Sequence, residues 1–270
     1  MLESTFNAPG YQPPVLPSTA IQLLEITRRP DVTFSVVAVL LKKEPLIASQ
    51  VLRIAQSAVY RRASPVRSLE HAASLLGLRT LSDLFVQAAL TARVFRVPGY
   101  EKPMSQLRDH SAATAIVSRL LCHETPYTDD YAFLCGLLHD VGTAACVIAL
   151  AESFGAEDQR NLPPLKHFWP VICDMHEVAS ARLAQIWQLP PDIGVIIGHH
   201  HSLFWKGAIH PHAAVVCVAE SIATELGHPF ESEIDGDQVL KAQAALQLTD
   251  AALDRVRRSA ERMLFVPDES

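Results

Sequence analysis

The chain has 270 residues, 23 basic and 29 acidic side chains, a formal net charge of −6 and a hydrophobic fraction of 49%. That length allows one large domain or two modest ones, and the apolar content excludes disorder for most of the chain. The acidic balance disfavours a dedicated nucleic-acid binder, which carries a basic surplus.

Residues 1–17 form a proline-punctuated lead-in with neither a basic start nor an apolar stretch, so no signal peptide is expected. Ser18 is placed to cap a first helix, STAIQLLEITRR, which Pro30 stops. A second helix is predicted from about Thr33 to Lys43, broken at Glu44-Pro45, and a third from about Leu46 to Ala58. After the basic connection YRRASPVR, Ser68 caps LEHAASLLG, which Gly77 ends as a left-handed stop. A long amphipathic helix covers 79–95, and Pro98-Gly99 closes that section. Helices are then predicted over about 105–124, 129–140 and, beyond Gly142, TAACVIALAES. Residues 155–168 read as a loop, and WPVICDMHEVASARLAQIWQL as a helix over 169–189. Pro190-Pro191 opens DIGVIIGHHH, and a further helix spans about 210–227. Two amphipathic pieces near 236–247 and 249–265 complete the chain. The periods are of three and four residues throughout, so the expectation is all-α.

The longest apolar runs, Phe34–Leu41 and Ala144–Ala151, fall short of the roughly 18–20 residues that span a bilayer. No membrane segment is expected, and the cytoplasm is the default location. Five widely spaced cysteines without a CxxC read as small buried hydrophobes in a reducing compartment.

Among twelve histidines, a few fall on apolar stripes. His110 shares one with Leu107, Thr114, Val117 and Leu121, and His176 one with Ile172, Ala179, Leu183 and Ile186. His200 continues Ile193, Ile196 and Ile197, while Glu220 sits among Val216, Cys217, Ala223 and Thr224. His139-Asp140 closes the turn that bears Phe133 and Leu137. Imidazoles and carboxylates thus face the interior from five helices. Burying them singly costs several kcal/mol for a carboxylate, and gathering them around a divalent cation removes the penalty. Nitrogen and oxygen donors without thiolate suit Fe, Mn, Zn, Ni or Co, as one ion or two. The competing reading is a metal-free buried polar core. His71, His123, His167, His201, His210, His212 and His228 are expected on the surface or in loops.

The segment EPLIASQVLRIAQSAVYRRASPVRSLEHAASLLGLRTLSDLF over 44–85, with LPSTAIQLLEI before it, resembles the N-terminal half of an HDOD domain. GLLHDVGTAACVIAL and HEVASARLAQIWQLPPDIGVIIGHHH resemble its second half. HDOD domains are relatives of the HD superfamily of metal-dependent phosphohydrolases, which includes the HD-GYP phosphodiesterases. The resemblance implies a multi-helical HD-superfamily-like bundle with an N-terminal helical lobe. It places a lead-in at 1–15, the HDOD domain at 16–227 (lobes about 16–100 and 103–227) and a helical tail at 228–270. It implies a bacterial signal-transduction module that lacks the full catalytic set and works through protein interactions. Carried over by position, His110, His139, Asp140, His176, His199, His200 and Glu220 match the superfamily's metal-ligating series. Glu220 stands where the superfamily has an aspartate. Two departures count against catalysis: Thr143 replaces the lysine of HDxGK, and the GYP segment after the paired histidines is absent.

The leading expectation is a non-catalytic module that binds a signalling protein in trans, with a retained metal that ties helices together. The alternative is a metal-dependent phosphohydrolase acting on a phosphomonoester, phosphodiester or nucleotide, with Asp140 and His139 as the catalytic pair and metal-activated water as nucleophile. Arg53, Arg61, Arg62 and Arg67 would then attract the phosphate, although a solvated basic loop is the favoured reading of them. Nucleic-acid binding through the same arginines lacks a reading helix or an aromatic platform.

Overall fold

The computed structural model describes residues 13–57, 60, 66, 68–128, 131–154, 162–230 and 234–264. The fold is all-α, as its residue periods predict, with one two-stranded hairpin among the described residues. By internal contacts the chain divides into two compact units, one containing Val15–Val94 and the other Phe95–Ala260.

The first unit holds α1 (Ser18–Ile26), α2 (Phe34–Leu41), α3 (Pro45–Ala55) and α4 (Leu69–Arg93). Helix α4 packs against each of the other three. Ser18 does not cap α1: it is the first helical residue, behind Pro17, and no side chain caps that end. Ser68 does cap α4, its Oγ accepting the His71 N–H at 3.1 Å. Gly77 breaks α4 as expected, with φ +82° and ψ 160°, and the chain resumes helix at once. Leu23, Val37, Leu41, Val51, Leu81, Leu84 and Phe85 fill this unit's core.

The second unit contains α5 (Glu101–Cys122), α6 (Ala132–Leu138), α7 (Val141–Ser153), α8 (Trp169–Ile186), α9 (Pro191–Ile197), α10 (Pro211–Glu225), α11 (Gly236–Ala245) and most of α12 (Asp250–Leu264). Helix α5 packs on α6 and α10, and α8 packs on α7 and α9. Close approach depends on small residues. A Cβ on Gly136 would lie 2.8 Å from the Ala115 Cα, and one on Gly142 would lie 2.1 Å from the His176 carbonyl oxygen. Tail helix α12 buries Ala252, Leu253, Val256 and Ala260, and its Arg255 makes a two-pronged pair with Glu124 at 3.1 and 2.6 Å.

Two sequence expectations change here. Helices α6 and α7 follow each other so closely that Ala132–Ser153 is long and apolar enough to cross a membrane, which neither run suggests by itself. The apolar 18-residue window within it is 94% buried among the other helices, as a core segment is. Residues Phe204–Trp205 and Ala208–Ile209 form an antiparallel hairpin between the HHH run and the 210–227 helix, where the all-α reading has no strand. Two-residue strands are too short to show alternation. Their turn relies on left-handed backbone at Lys206 (φ 51°) and Gly207 (φ 82°).

Candidate metal centre

The centre forms in the second unit, where α5, the α6–α7 junction, α8, the turn after α9, and α10 each contribute a polar side chain. Asp140 lies at its middle. It occupies the N-cap position of α7 but makes no capping bond, so its carboxylate is free to face inward. It is 2% exposed. Its oxygens lie 3.5 Å from His139 Nε2, 3.5 Å from His176 Nε2 and 3.8 Å from His200 Nε2. On the far side, His110 Nε2 stands 3.2 Å from His139 Nε2 and 4.0 Å from the Glu220 carboxyl.

Four rings are oriented by the same device. The Nδ1 atoms of His139, His176 and His200 each lie 2.6–2.8 Å from the carbonyl oxygen three residues earlier, at Gly136, Cys173 and Ile197. The Nδ1 of His110 lies 2.8 Å from the carbonyl of His228. A carbonyl only accepts, so every one of these Nδ1 atoms must carry the proton and donate it. In a neutral ring the Nε2 lone pair is then left bare, turned toward Asp140 in His139, His176 and His200 and toward His139 and Glu220 in His110. For His110, His139 and His200 neutral rings are what the surroundings favour. Burial pushes His110 and His200 below the usual histidine range and takes His139 down to about 4. Burial alone would raise Asp140, but the neighbouring histidines, His139 foremost, outweigh it and hold its carboxyl below the usual value.

The interior is therefore rich in acceptors and short of donors. His176 Nε2 and His200 Nε2 have no hydrogen-bond partner among the described residues. The lone pairs of His110 and His139 face each other at 3.2 Å. An unsatisfied buried polar atom costs about 1–3 kcal/mol. A cation shared among these atoms removes that cost, and rings held through Nδ1 to a carbonyl are the usual second support of a metal-bound histidine. The donor set fits a divalent ion. Two overlapping groups could each hold one: His110, His139, Asp140 and Glu220, and Asp140, His176, His200 and His201, with ligand atoms in each group within 4.8 Å of one another. Asp140 belongs to both.

Six of the seven sequence-predicted ligands thus come together, and one does not. His199 turns away, its Nδ1 3.3 Å from Ser202 Oγ and its ring 5.1 Å from Trp205. His201, expected on the surface, takes the place beside His200. The cause is local: α9 ends at Ile197, and the tight turn that follows sends consecutive side chains in different directions. Glu177 fixes that turn by accepting the His201 backbone N–H at 2.9 Å. Three histidines in a row leave a paired motif uncertain by one register, which the sequence does not resolve. Sequence reasoning also missed Ser180, which accepts the Gly142 N–H and donates to the His139 carbonyl, both at 2.8 Å. Its signal was available, since it lies one helical turn beyond His176. Of the arginines, Arg53 lies exposed on α3 in the other unit. Arg61, Arg62 and Arg67 lie outside the described residues.

A cavity of about 670 Å³ opens onto the centre, bordered by Trp169, His176, Glu177, His201, Asp235 and Gln238 among others. A smaller cleft beside it touches Asp140 and Thr143. Neither has a lysine or arginine among its described lining residues.

Comparison with known proteins gives a consistent picture. The HDOD domain family matches residues 14–203. An uncharacterized protein of Treponema pallidum (strain Nichols) is 28% identical over 200 residues, which is 70% of this chain and 38% of that protein. The chain therefore matches well under half the length of that relative. The fold is similar to that of an HDOD domain protein of unknown function from Geobacter sulfurreducens, with TM-score 0.65, 22% identity and 98% coverage of each chain. It is also similar to a proposed phosphohydrolase of Shewanella amazonensis SB2B, with TM-score 0.68, 21% identity and coverage of 97% and 96%. A proposed metal-dependent phosphohydrolase of the same organism gives TM-score 0.64 at 17% identity, with coverage of 94% and 93%.

Proposed function

Because the chain belongs to the HDOD domain family, we propose that it is a signal-transduction module that acts on a partner protein in trans and carries a divalent metal centre. One observation supports the metal above all: the Nε2 atoms of His139, His176 and His200 lie within 3.8 Å of the Asp140 carboxylate, and those of His176 and His200 have no hydrogen-bond partner among the described residues. His110, His139, Asp140 and Glu220 would hold one ion, and Asp140, His176, His200 and His201 would hold a second if two are present. When bound, the metal would neutralise Asp140 and tie α5, the α6–α7 junction, α8, the turn after α9 and α10 into one cross-linked body.

The phosphohydrolase alternative has the same centre but lacks a phosphate clamp. Thr143 offers a neutral hydroxyl where the superfamily has lysine, and the described residues of the cavity walls supply no guanidinium or ammonium. Protein purified without chelator is expected to carry about one or two Fe, Mn, Zn, Ni or Co ions per chain by elemental analysis. Asp140→Ala is expected to lose nearly all of it. Saturating metal at about 100 times Kd stabilises the folded state by about 2.7 kcal/mol, which appears as a metal-dependent rise in Tm that Asp140→Ala abolishes. The metal-loaded protein is expected to leave p-nitrophenyl phosphate, bis-p-nitrophenyl phosphate and cyclic dinucleotides intact. Turnover lost in both His139→Ala and Asp140→Ala would overturn the non-catalytic reading. Absence of metal, with no Tm response to any of the five ions, would overturn the centre itself.

A further inference from the structure

The cavity above the centre carries an electrostatic signature that a phosphate-handling site does not. Among the described residues its titratable lining consists of two carboxylates, Glu177 and Asp235, two histidines, His176 and His201, and two thiols, Cys173 and Cys217, with no permanent cation among them. Both carboxylates are anchored. Glu177 Oε1 accepts the His201 backbone N–H at 2.9 Å and lies 3.5 Å from His200 Nδ1. Asp235 Oδ1 accepts the Asp237 N–H at 2.9 Å at the start of α11. Deeper in, the 7%-exposed His176 has an Nε2 without a hydrogen-bond partner among the described residues, and His200 behind it has another. The gradient runs from fixed negative charge at the wall to bare nitrogen lone pairs at the floor. In the metal-free centre that sequence of groups attracts and then binds a cation, and once the ion is bound the carboxylates at the wall go on opposing the entry of an anion.

We propose that this cavity is a port for the divalent cation itself, and that it turns away phosphorylated small molecules. The proposal rests on the metal reading above and narrows it: the small ligand of the site is the ion, so the centre responds to metal supply and performs no phosphate chemistry. Glu177 and Asp235 are the residues that set this selectivity.

Two conservative variants isolate the charge. Glu177→Gln keeps a carbonyl oxygen for the His201 N–H, and Asp235→Asn keeps a capping oxygen for Asp237, so both retain the local hydrogen bonds. The probe is Co²⁺, whose visible absorption reports nitrogen and oxygen coordination. Metal-stripped full-length protein is mixed with Co²⁺ in a stopped-flow instrument at several ionic strengths. Association is expected to slow about tenfold in the double variant, and the steep salt dependence of the native protein is expected to flatten. Millimolar inorganic phosphate or ADP, added to the Co²⁺-loaded native protein, is expected to leave the spectrum unchanged. Double-variant association at the native rate and salt dependence, or a spectral shift with phosphate, would overturn the port while leaving the metal centre standing. Failure of Co²⁺ to give any coordinated spectrum in the native protein would overturn the metal reading and the port with it. Far-UV circular dichroism of the double variant, expected to match native, separates lost charge from lost fold.

Discussion

Gly142→Ala tests how the centre is held together. Gly142 lies in the first turn of α7, two residues after Asp140, where α8 crosses it. A Cβ there would sit 2.1 Å from the His176 carbonyl oxygen, 2.5 Å from the Ser180 nitrogen and 2.8 Å from its Oγ. A relaxed carbon–oxygen contact is about 3.3–3.6 Å, so α8 must withdraw by more than about 1 Å. Two of the three obstacles are backbone atoms, which no rotamer change can move. Overpacking costs about 1–3 kcal/mol where side chains can yield, and the upper end or beyond is expected here because the Ser180 bridge to Gly142 and His139 is strained as well. For a unit of this size each kcal/mol moves Tm by roughly 2–4 °C, so thermal unfolding by circular dichroism should show a drop of roughly 6–12 °C. Metal affinity should fall too, because α8 carries His176. The control is Gly194→Ala on α9, where the nearest atom to a new Cβ is the Ala184 Cβ at 3.5 Å. That change is expected to be neutral or to stabilise by about 0.4–1 kcal/mol. If Gly142→Ala unfolds within about 1 °C of the native chain, the close α7–α8 contact is wrong.

Other expectations follow from the same geometry. His201→Ala should lower metal content or affinity at least tenfold by equilibrium titration, whereas His199→Ala should leave both unchanged. Gly77→Ala has open space around its Cβ but must adopt φ +82° with ψ 160°, so it should lose about 1–3 kcal/mol in denaturant unfolding from backbone strain alone. Burial raises the Cys146 and Cys217 thiols to about 12, so they stay protonated at pH 8–9. Iodoacetamide in that range should label the half-buried Cys173 first and spare those two until the protein is unfolded, as read by mass spectrometry.

Much of this fold is written in local pattern. The helices appear because their apolar residues recur at three and four, and the break at Gly77 appears because only glycine takes φ +82° without strain. The inward positions of His110, His176, His200 and Glu220 follow from the stripes they share. What the sequence conceals is decided by short-range geometry after the periodicity ends. Ser18 has the right chemistry for a cap, yet Pro17 occupies the capping position. Ile186 completes the His176 stripe on paper, but it comes at the last turn of α8 and is 40% exposed. His199 and His201 exchange roles because a paired-histidine motif fits three consecutive histidines in two registers, and the register carried over by resemblance chose His199 where the centre gathers His201.

The carbonyl-anchored rings have a mechanical consequence. His139, His176 and His200 are each fastened to their own stretch of backbone, so none can swivel to compensate when a neighbouring segment slides. The gap between their tips is then a gauge of helix spacing, read out as affinity for whatever ion they grip. A partner that eased α8 away from α7 by half an ångström would loosen that grip. By thermodynamic reciprocity, a gripped ion would resist the partner's pull by the same free energy.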